Sequence, residues 1–240
     1  MKRLSSFFAF SMALFLFSCS NSTEKTDTKA ADTTAAVVAP PPAPVKPAFQ
    51  PFKVVSIVHP VKNFSKWKEG YLSHDSVRKA YGLSDFAIGR DLKDSNLVYV
   101  FNKMEDAEKA KTFATLPNLK DAMKKAGVTG PPKFGYADVI RFEEPQSGSA
   151  DRLMVTHHVK DYAAWIKAYD SEGAATRVAN GMTDIAISRG IPDSNLVTVV
   201  FQINDITKAK ARVASPDLKK IMTDAGVDGP PAIYWFTVVK

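Results

Sequence analysis

The chain carries one sequence twice. AGVTGPP at residues 126–132 returns as AGVDGPP at 225–231, ninety-nine residues later. Upstream the offset is 98, where His59-x-Val61-Lys62 matches His157-x-Val159-Lys160, and Trp67 and Tyr71 match Trp165 and Tyr169. One extra residue in the second copy moves the offset to 99, so Arg78, Gly82, Asp85 and Arg90 match Arg177, Gly181, Asp184 and Arg189. DSNLV stands at 94–98 and again at 193–197. Self-similarity at a spacing of 98 to 99 residues means that one unit is built twice, which restricts the chain to folds in which two such units complete each other.

Each copy presents the same signals in the same order. Residues 54–58 are apolar and β-branched, a strand. Asn63 or Asp161 caps a helix in which Phe64, Trp67, Tyr71, His74 and Arg78 recur at three- and four-residue spacing, and Gly82 closes it. Residues 86–90 and 97–101 read as the strands of a hairpin that turns at Lys93-Asp94-Ser95. A further helix is capped by Asp106 or Asp205 and is broken by Pro117 or Pro216, each at the first position of a new helical turn. Gly127 or Gly226 stops that turn, and Gly-Pro-Pro launches a last strand at Phe134 or Ile233. The order β-α-β-β-α-β belongs to a ferredoxin-like sheet with helices on one face. Its other face is apolar, so the two copies must bring those faces together. The expected fold class is α+β, with two tandem ferredoxin-like repeats pairing sheet to sheet inside one chain. The extra residue near Gly173 puts Arg177 off the stripe of a straight helix, so the second helix should bulge or break at 172–174.

The first fifty residues have a different character. Lys2 and Arg3 precede an apolar run from Leu4 to Phe17 and then Ser18-Cys19, the pattern of a secretory signal too short for a permanent membrane span. Leu16-Phe17-Ser18-Cys19 resembles the lipobox of bacterial lipoproteins, which implies lipidation of Cys19 and a cell-envelope location, on the periplasmic or the outer-membrane face. Residues 20–52 are rich in Ala, Thr and Pro, a composition that cannot offset ordering entropy and reads as a tether. Repeat 1 is then expected over 53–144, a linker over 145–151 and repeat 2 over 152–240. Cys19 is the chain's only cysteine, which excludes a disulfide framework, a thiolate nucleophile and Cys-ligated metal in the folded part. The formal charge of +7 is spread among Asp and Glu without basic runs, so no nucleic-acid partner is expected. The expected partners are a membrane, through the lipid, and a small ligand.

The strings HHVKDYAAW at 157–165, R-x-x-x-G at 177–181, DSNLV, SPDLK at 215–219 and the two AGVxGPP segments resemble small proteins of the dimeric α+β barrel superfamily. These include relatives of antibiotic-biosynthesis monooxygenases and polyketide cyclases. The resemblance implies a barrel of two ferredoxin-like units, usually from two subunits; here the duplication lets one chain supply both, so an oligomer is not required. Members include cofactor-free oxygenases, cyclases, isomerases, haem enzymes and proteins without a known reaction, so such a fold does not select an activity.

Candidate chemistry lies in matched residues. His59 and His157 share a strand face with apolar neighbours, and serve either as a general base or hydrogen-bond donor, or as strand-end histidines bonded to backbone. Trp67, Tyr71, His74 and Arg78, with Trp165, Tyr169 and Arg177, form an aromatic and cationic stripe that either grips a planar anionic ligand or packs the core. Arg90 and Arg189 end strands in which Phe86 and Ile88, or Ile185 and Ile187, share their face, and they either point into the barrel mouth toward a carboxylate or enolate, or pair with acids at the rim. Tyr99 stands where the second copy has Thr198, a difference that singles it out for one unequal site. His157 and His158 point to opposite strand faces, and neither metal nor cofactor is expected. The leading expectation is an envelope lipoprotein that binds a small apolar or aromatic molecule in the cleft between the sheets. The alternatives are a cofactor-independent monooxygenase- or cyclase-like enzyme and a non-catalytic interaction protein.

Overall fold

The computed structural model describes residues 49–146 and 148–239; Cys19, the signal and most of the tether lie outside them. The described residues form one compact unit. The first repeat contributes β1 (Phe52–Pro60), α1 (Phe64–Ser73), α2 (Asp75–Ala80), β2 (Leu83–Asp91), β3 (Leu97–Met104), α3 (Ala107–Ala114), α4 (Pro117–Lys125) and β4 (Lys133–Phe142). The second contributes β5 (Asp151–Val159), α5 (Tyr162–Glu172), α6 (Ala174–Ala179), β6 (Met182–Gly190), β7 (Leu196–Ile203), α7 (Ile206–Val213), α8 (Pro216–Asp224) and β8 (Val227–Val239).

The eight strands close into an antiparallel barrel of order β1-β3-β2-β8-β5-β7-β6-β4. Each repeat is a four-stranded ferredoxin-like sheet, and the two meet edge to edge through β2–β8 and β4–β6 hydrogen bonds. Closure gives every strand two hydrogen-bonded neighbours, whereas an isolated repeat would expose two edge strands. Strand alternation then divides the core. Val55, Ile57, Val98 and Val100 face the helices of repeat 1, as Leu153, Val155, Val197 and Val199 do in repeat 2. Tyr99, Met154 and Phe236 form a third cluster on the opposite face, inside the barrel.

The caps follow the sequence. The side chains of Asn63, Asp106, Asp161, Asp205 and Ser215 each accept a bond from a backbone N–H in the first turn of their helix. The helix of repeat 2 breaks at Gly173, which adopts φ +79°, so the expected interruption at 172–174 is present. Three expectations need correction. The helix of repeat 1 is also broken, at His74, which caps α1 at φ −97° before α2 starts at Asp75. The last strand of repeat 2 begins at Val227 rather than Ile233, because Val227 and Asp228 already pair with Val159 and His158. Matching bulges at Asp85/Ala87 and Asp184/Ala186 break the alternation, so Phe86 no longer shares a face with Ile88 and Arg90.

Candidate functional site

In repeat 1, β1 carries His59 toward the helices, and α1 lays Trp67 and Tyr71 over it. The His59 and Trp67 rings are 5.5 Å apart, and Trp67 stacks on Tyr71 at 5.2 Å. The break at His74 turns α2 back, so that Arg78 sits 3.7 Å over the Tyr71 ring. Repeat 2 reproduces this with His157, Trp165, Tyr169 and Arg177, the ring spacings being 5.5 and 5.2 Å and the cation lying 4.0 Å above Tyr169. The chain break at Gly173 absorbs the extra residue and returns Arg177 to its place.

Both arginines are engaged. Arg177 Nε and Nη2 donate to the two carboxylate oxygens of Asp184 at 2.7 and 2.8 Å, and Nη1 donates to the Tyr169 carbonyl at 3.0 Å. Tyr169 also donates to Asp184, at 2.9 Å. Arg78 pairs with Asp85 at 3.2 Å and donates to the Tyr71 carbonyl, while Asp85 accepts from Tyr71 at 2.7 Å and from Asn102 at 3.1 Å. The bulges help to place those acids, because Asp85 and Asp184 are the last residues before each register shift. Burial raises the pKa of both tyrosines and keeps them neutral hydrogen-bond donors.

The histidines are in the opposite condition. His59 and His157 are buried, at 3% and 6% exposure, and among the described residues neither Nδ1 nor Nε2 of either ring has a hydrogen-bond partner. Burial pushes each pKa from 6.5 down to about 4, so both rings are neutral near pH 7. They are not bonded to backbone, which corrects that reading. Each ring faces a cavity between sheet and helices, of about 70 Å³ in repeat 1 and about 110 Å³ in repeat 2, with mainly aliphatic walls such as Leu218 and Met222. Repeat 1 is tighter where Gly70 takes the place of Ala168: a Cβ on Gly70 would meet the Cβ of Ala126 at 2.8 Å. His74 and Arg78 line the first cavity; Glu172, Arg177 and Arg212 line the second, with Glu172 and Arg212 ion-paired at 2.7 Å.

These constellations therefore occupy two sheet–helix layers, not the cleft between the sheets where they were expected. The remaining candidates lie elsewhere. Arg90 and Arg189 are on the helix-bearing face, not in the barrel mouth, and among the described residues pair with no acid. Each donates from Nε to a hairpin carbonyl at 2.7 Å, of Ser95 and Ser194, and lies over the first aromatic ring of a helix, Phe64 or Tyr162. Tyr99 is inside the barrel, donating to Asp91 at 2.9 Å. The groups that sequence reasoning missed are Asp85, Asp184, Asn102, Glu172 and Arg212. The recurrence of Asp85 as Asp184 beside matched arginines was the available signal for the first two. Among the described residues no group of three or more His, Cys, Asp or Glu could hold a metal ion.

No family model matches the chain, and no curated protein matches its sequence. Solved structures do match in fold. An anthrone oxidase-like protein superposes with TM-score 0.53 at 13% identity, covering 79% of this chain and 92% of its own. A provisionally assigned monooxygenase from Fusobacterium nucleatum subsp. nucleatum does so with TM-score 0.50 at 13% identity, covering 79% and 93%. The likeness is one of fold alone; in this chain that fold is a closed eight-stranded barrel made of two ferredoxin-like repeats.

Proposed function

We propose that the chain is an envelope lipoprotein, anchored through lipid on Cys19, whose barrel domain binds a small, largely apolar or aromatic molecule in its sheet–helix pockets. The observation that carries this reading is the pair of buried imidazoles without partners. A buried polar group left unsatisfied costs about 1–3 kcal/mol, and its retention in both repeats is explained if a ligand supplies the missing bond. A hydroxyl or carbonyl on an otherwise apolar ring fits that need, with Trp165 and the aliphatic side chains of α8 enclosing the rest. The larger cavity of repeat 2 is the better site.

The second reading is a cofactor-independent oxygenase- or cyclase-like enzyme. It is favoured by the fold shared with proteins described as a monooxygenase and as anthrone oxidase-like. His157 would then take a proton from the substrate. Two features weigh against it. A base serves best with a pKa near the working pH, and these rings lie near 4. Stabilising an oxyanion needs a cation with free donors, and Arg177 is already committed to Asp184, Tyr169 and Glu172.

Native mass spectrometry and an absorption spectrum of the full chain purified from its host test the binding reading. A co-purified small molecule that His157→Phe releases is the expected result. A clean apo mass for the unaltered chain would remove the support. For the anchor, Cys19→Ala is expected to move the protein from the membrane to the soluble fraction.

A further inference from the structure

The barrel interior is where the two repeats part company. At an offset of 99, Gly135 and Ala137 of β4 correspond to Tyr234 and Phe236 of β8, and Thr198 of β7 corresponds to Tyr99 of β3. Beside the β2–β8 join the large residues fill the lumen. Tyr99 and Phe236 stack with ring centroids 4.9 Å apart and are almost fully buried. Phe236 lies so close over Gly89 that a Cβ there would meet its ring at 2.4 Å. Beside the β4–β6 join all three aromatic side chains are missing, and a cavity of about 230 Å³ takes their place, larger than either sheet–helix pocket.

The wall of this cavity is not uniformly apolar. Ser188, Thr198 and Thr156 are register partners across β6, β7 and β5, so their hydroxyls form one rung on the lumen side. The hydroxyls of Thr156 and Thr198 are 2.8 Å apart. Because one donates to the other, one proton of the pair remains for an occupant. The corresponding rung in repeat 1 is Val58, Tyr99 and Gly89, and the tyrosine hydroxyl is served by Asp91. Asp91 corresponds to Gly190 in repeat 2, so no carboxylate stands at that place.

We propose that this half of the lumen is a binding site for a small neutral aromatic molecule bearing a hydroxyl group, of the phenol or naphthol class. The molecule's ring takes the space that the Tyr99–Phe236 stack fills on the other side of the barrel, and its hydroxyl meets the Ser188-Thr198-Thr156 rung. Lys133 touches the cavity but is exposed, and the rung carries no charge, which selects a neutral molecule. The site is separate from the histidine pockets and does not depend on their occupancy.

Calorimetric titration of the full chain with 2-naphthol, and with naphthalene as the hydroxyl-free control, tests it. The double variant Ala137→Phe/Ser188→Gly copies the filled side, glycine making room for the ring as Gly89 does. It is expected to lose one equivalent of bound 2-naphthol and to unfold at the same or a higher temperature. Thr198→Val, which keeps the volume and removes the hydroxyl, is expected to weaken 2-naphthol about tenfold and naphthalene by less than about twofold. Absence of saturable 2-naphthol binding overturns the proposal. So does full stoichiometry in the double variant, or an equal effect of Thr198→Val on both probes. If the double variant does not fold, Thr198→Val alone decides.

Discussion

In repeat 1, Arg78 shares Asp85 with Tyr71 and Asn102 and draws further charge from Asp75 at 3.6 Å. In repeat 2, Phe201 stands at the position of Asn102, the arginine grips its aspartate through two short bonds, and Glu172 and Arg212 replace His74 and Phe113. Both guanidiniums are buried, at 3% and 5% exposure, so both need compensation. The difference teaches that the requirement to neutralise a buried cation persists in both copies while the groups that meet it change. The histidines behave differently: each lies 5.5 Å from its tryptophan ring, and both remain without partners among the described residues although the polar groups lining their cavities differ.

The largest effect should come from the feature the repeats share. The unfolded chain binds the two histidine protons near pH 6.5, and the folded chain only near pH 4. Their contribution is therefore intact above about pH 6.5 and is lost as pH falls toward 4, by about 3 kcal/mol for each ring. Urea unfolding between pH 7.5 and 4.5 should show this loss, and His59→Phe and His157→Phe should each remove a similar share of it. Markedly unequal shares would break the equivalence of the two pockets.

The paired acids should separate the repeats. Asp184→Ala removes the bidentate partner of Arg177 and is expected to cost about 3 kcal/mol. Asp85→Ala should cost about 1–2 kcal/mol, because that carboxylate is more exposed than Asp184 and meets its arginine at 3.2 rather than 2.7 Å. Chemical denaturation of both variants checks the order; equal losses would mean that the arginine geometry has no energetic consequence.

A smaller effect is expected at Gly173, which has φ +79° and ψ 147° and nothing within 4 Å of an added Cβ. Gly173→Ala should destabilise by about 1–2 kcal/mol through backbone strain alone. In repeat 1 the break falls on His74 at negative φ, so His74→Ala carries no such penalty. Thermal unfolding of the two variants compares the two breaks directly.

Much of the architecture is legible in the sequence. Caps at Asn63, Asp106, Asp161, Asp205 and Ser215 act within a few residues, and the Gly173 break follows from helical periodicity. The site was legible only in part. His59, Trp67, Tyr71 and Arg78 belong together, as do their counterparts, but a helix pattern does not say that the grouping survives a break at His74. The bulges were invisible because one extra residue in a strand leaves no composition signal, and they reversed the face expected for Phe86. Arg90 and Arg189 found hairpin carbonyls because strand ends and turns meet only in the folded chain.

The sequence by itself determined that one unit is built twice, which elements compose it and which residues recur, since duplication, alternation and capping are local patterns written along the chain. Only the tertiary structure decided where those residues act. Closing the barrel through β2–β8 and β4–β6 assigns each strand one face to the helices and one to the lumen. That closure sends the histidines and arginines outward, turns Tyr99 inward, and leaves space where Gly135 and Ala137 face the lumen that Tyr234 and Phe236 fill on the other side. Whether a side chain meets a partner or a void depends on residues about a hundred positions away, and strand pairing is what brings them together.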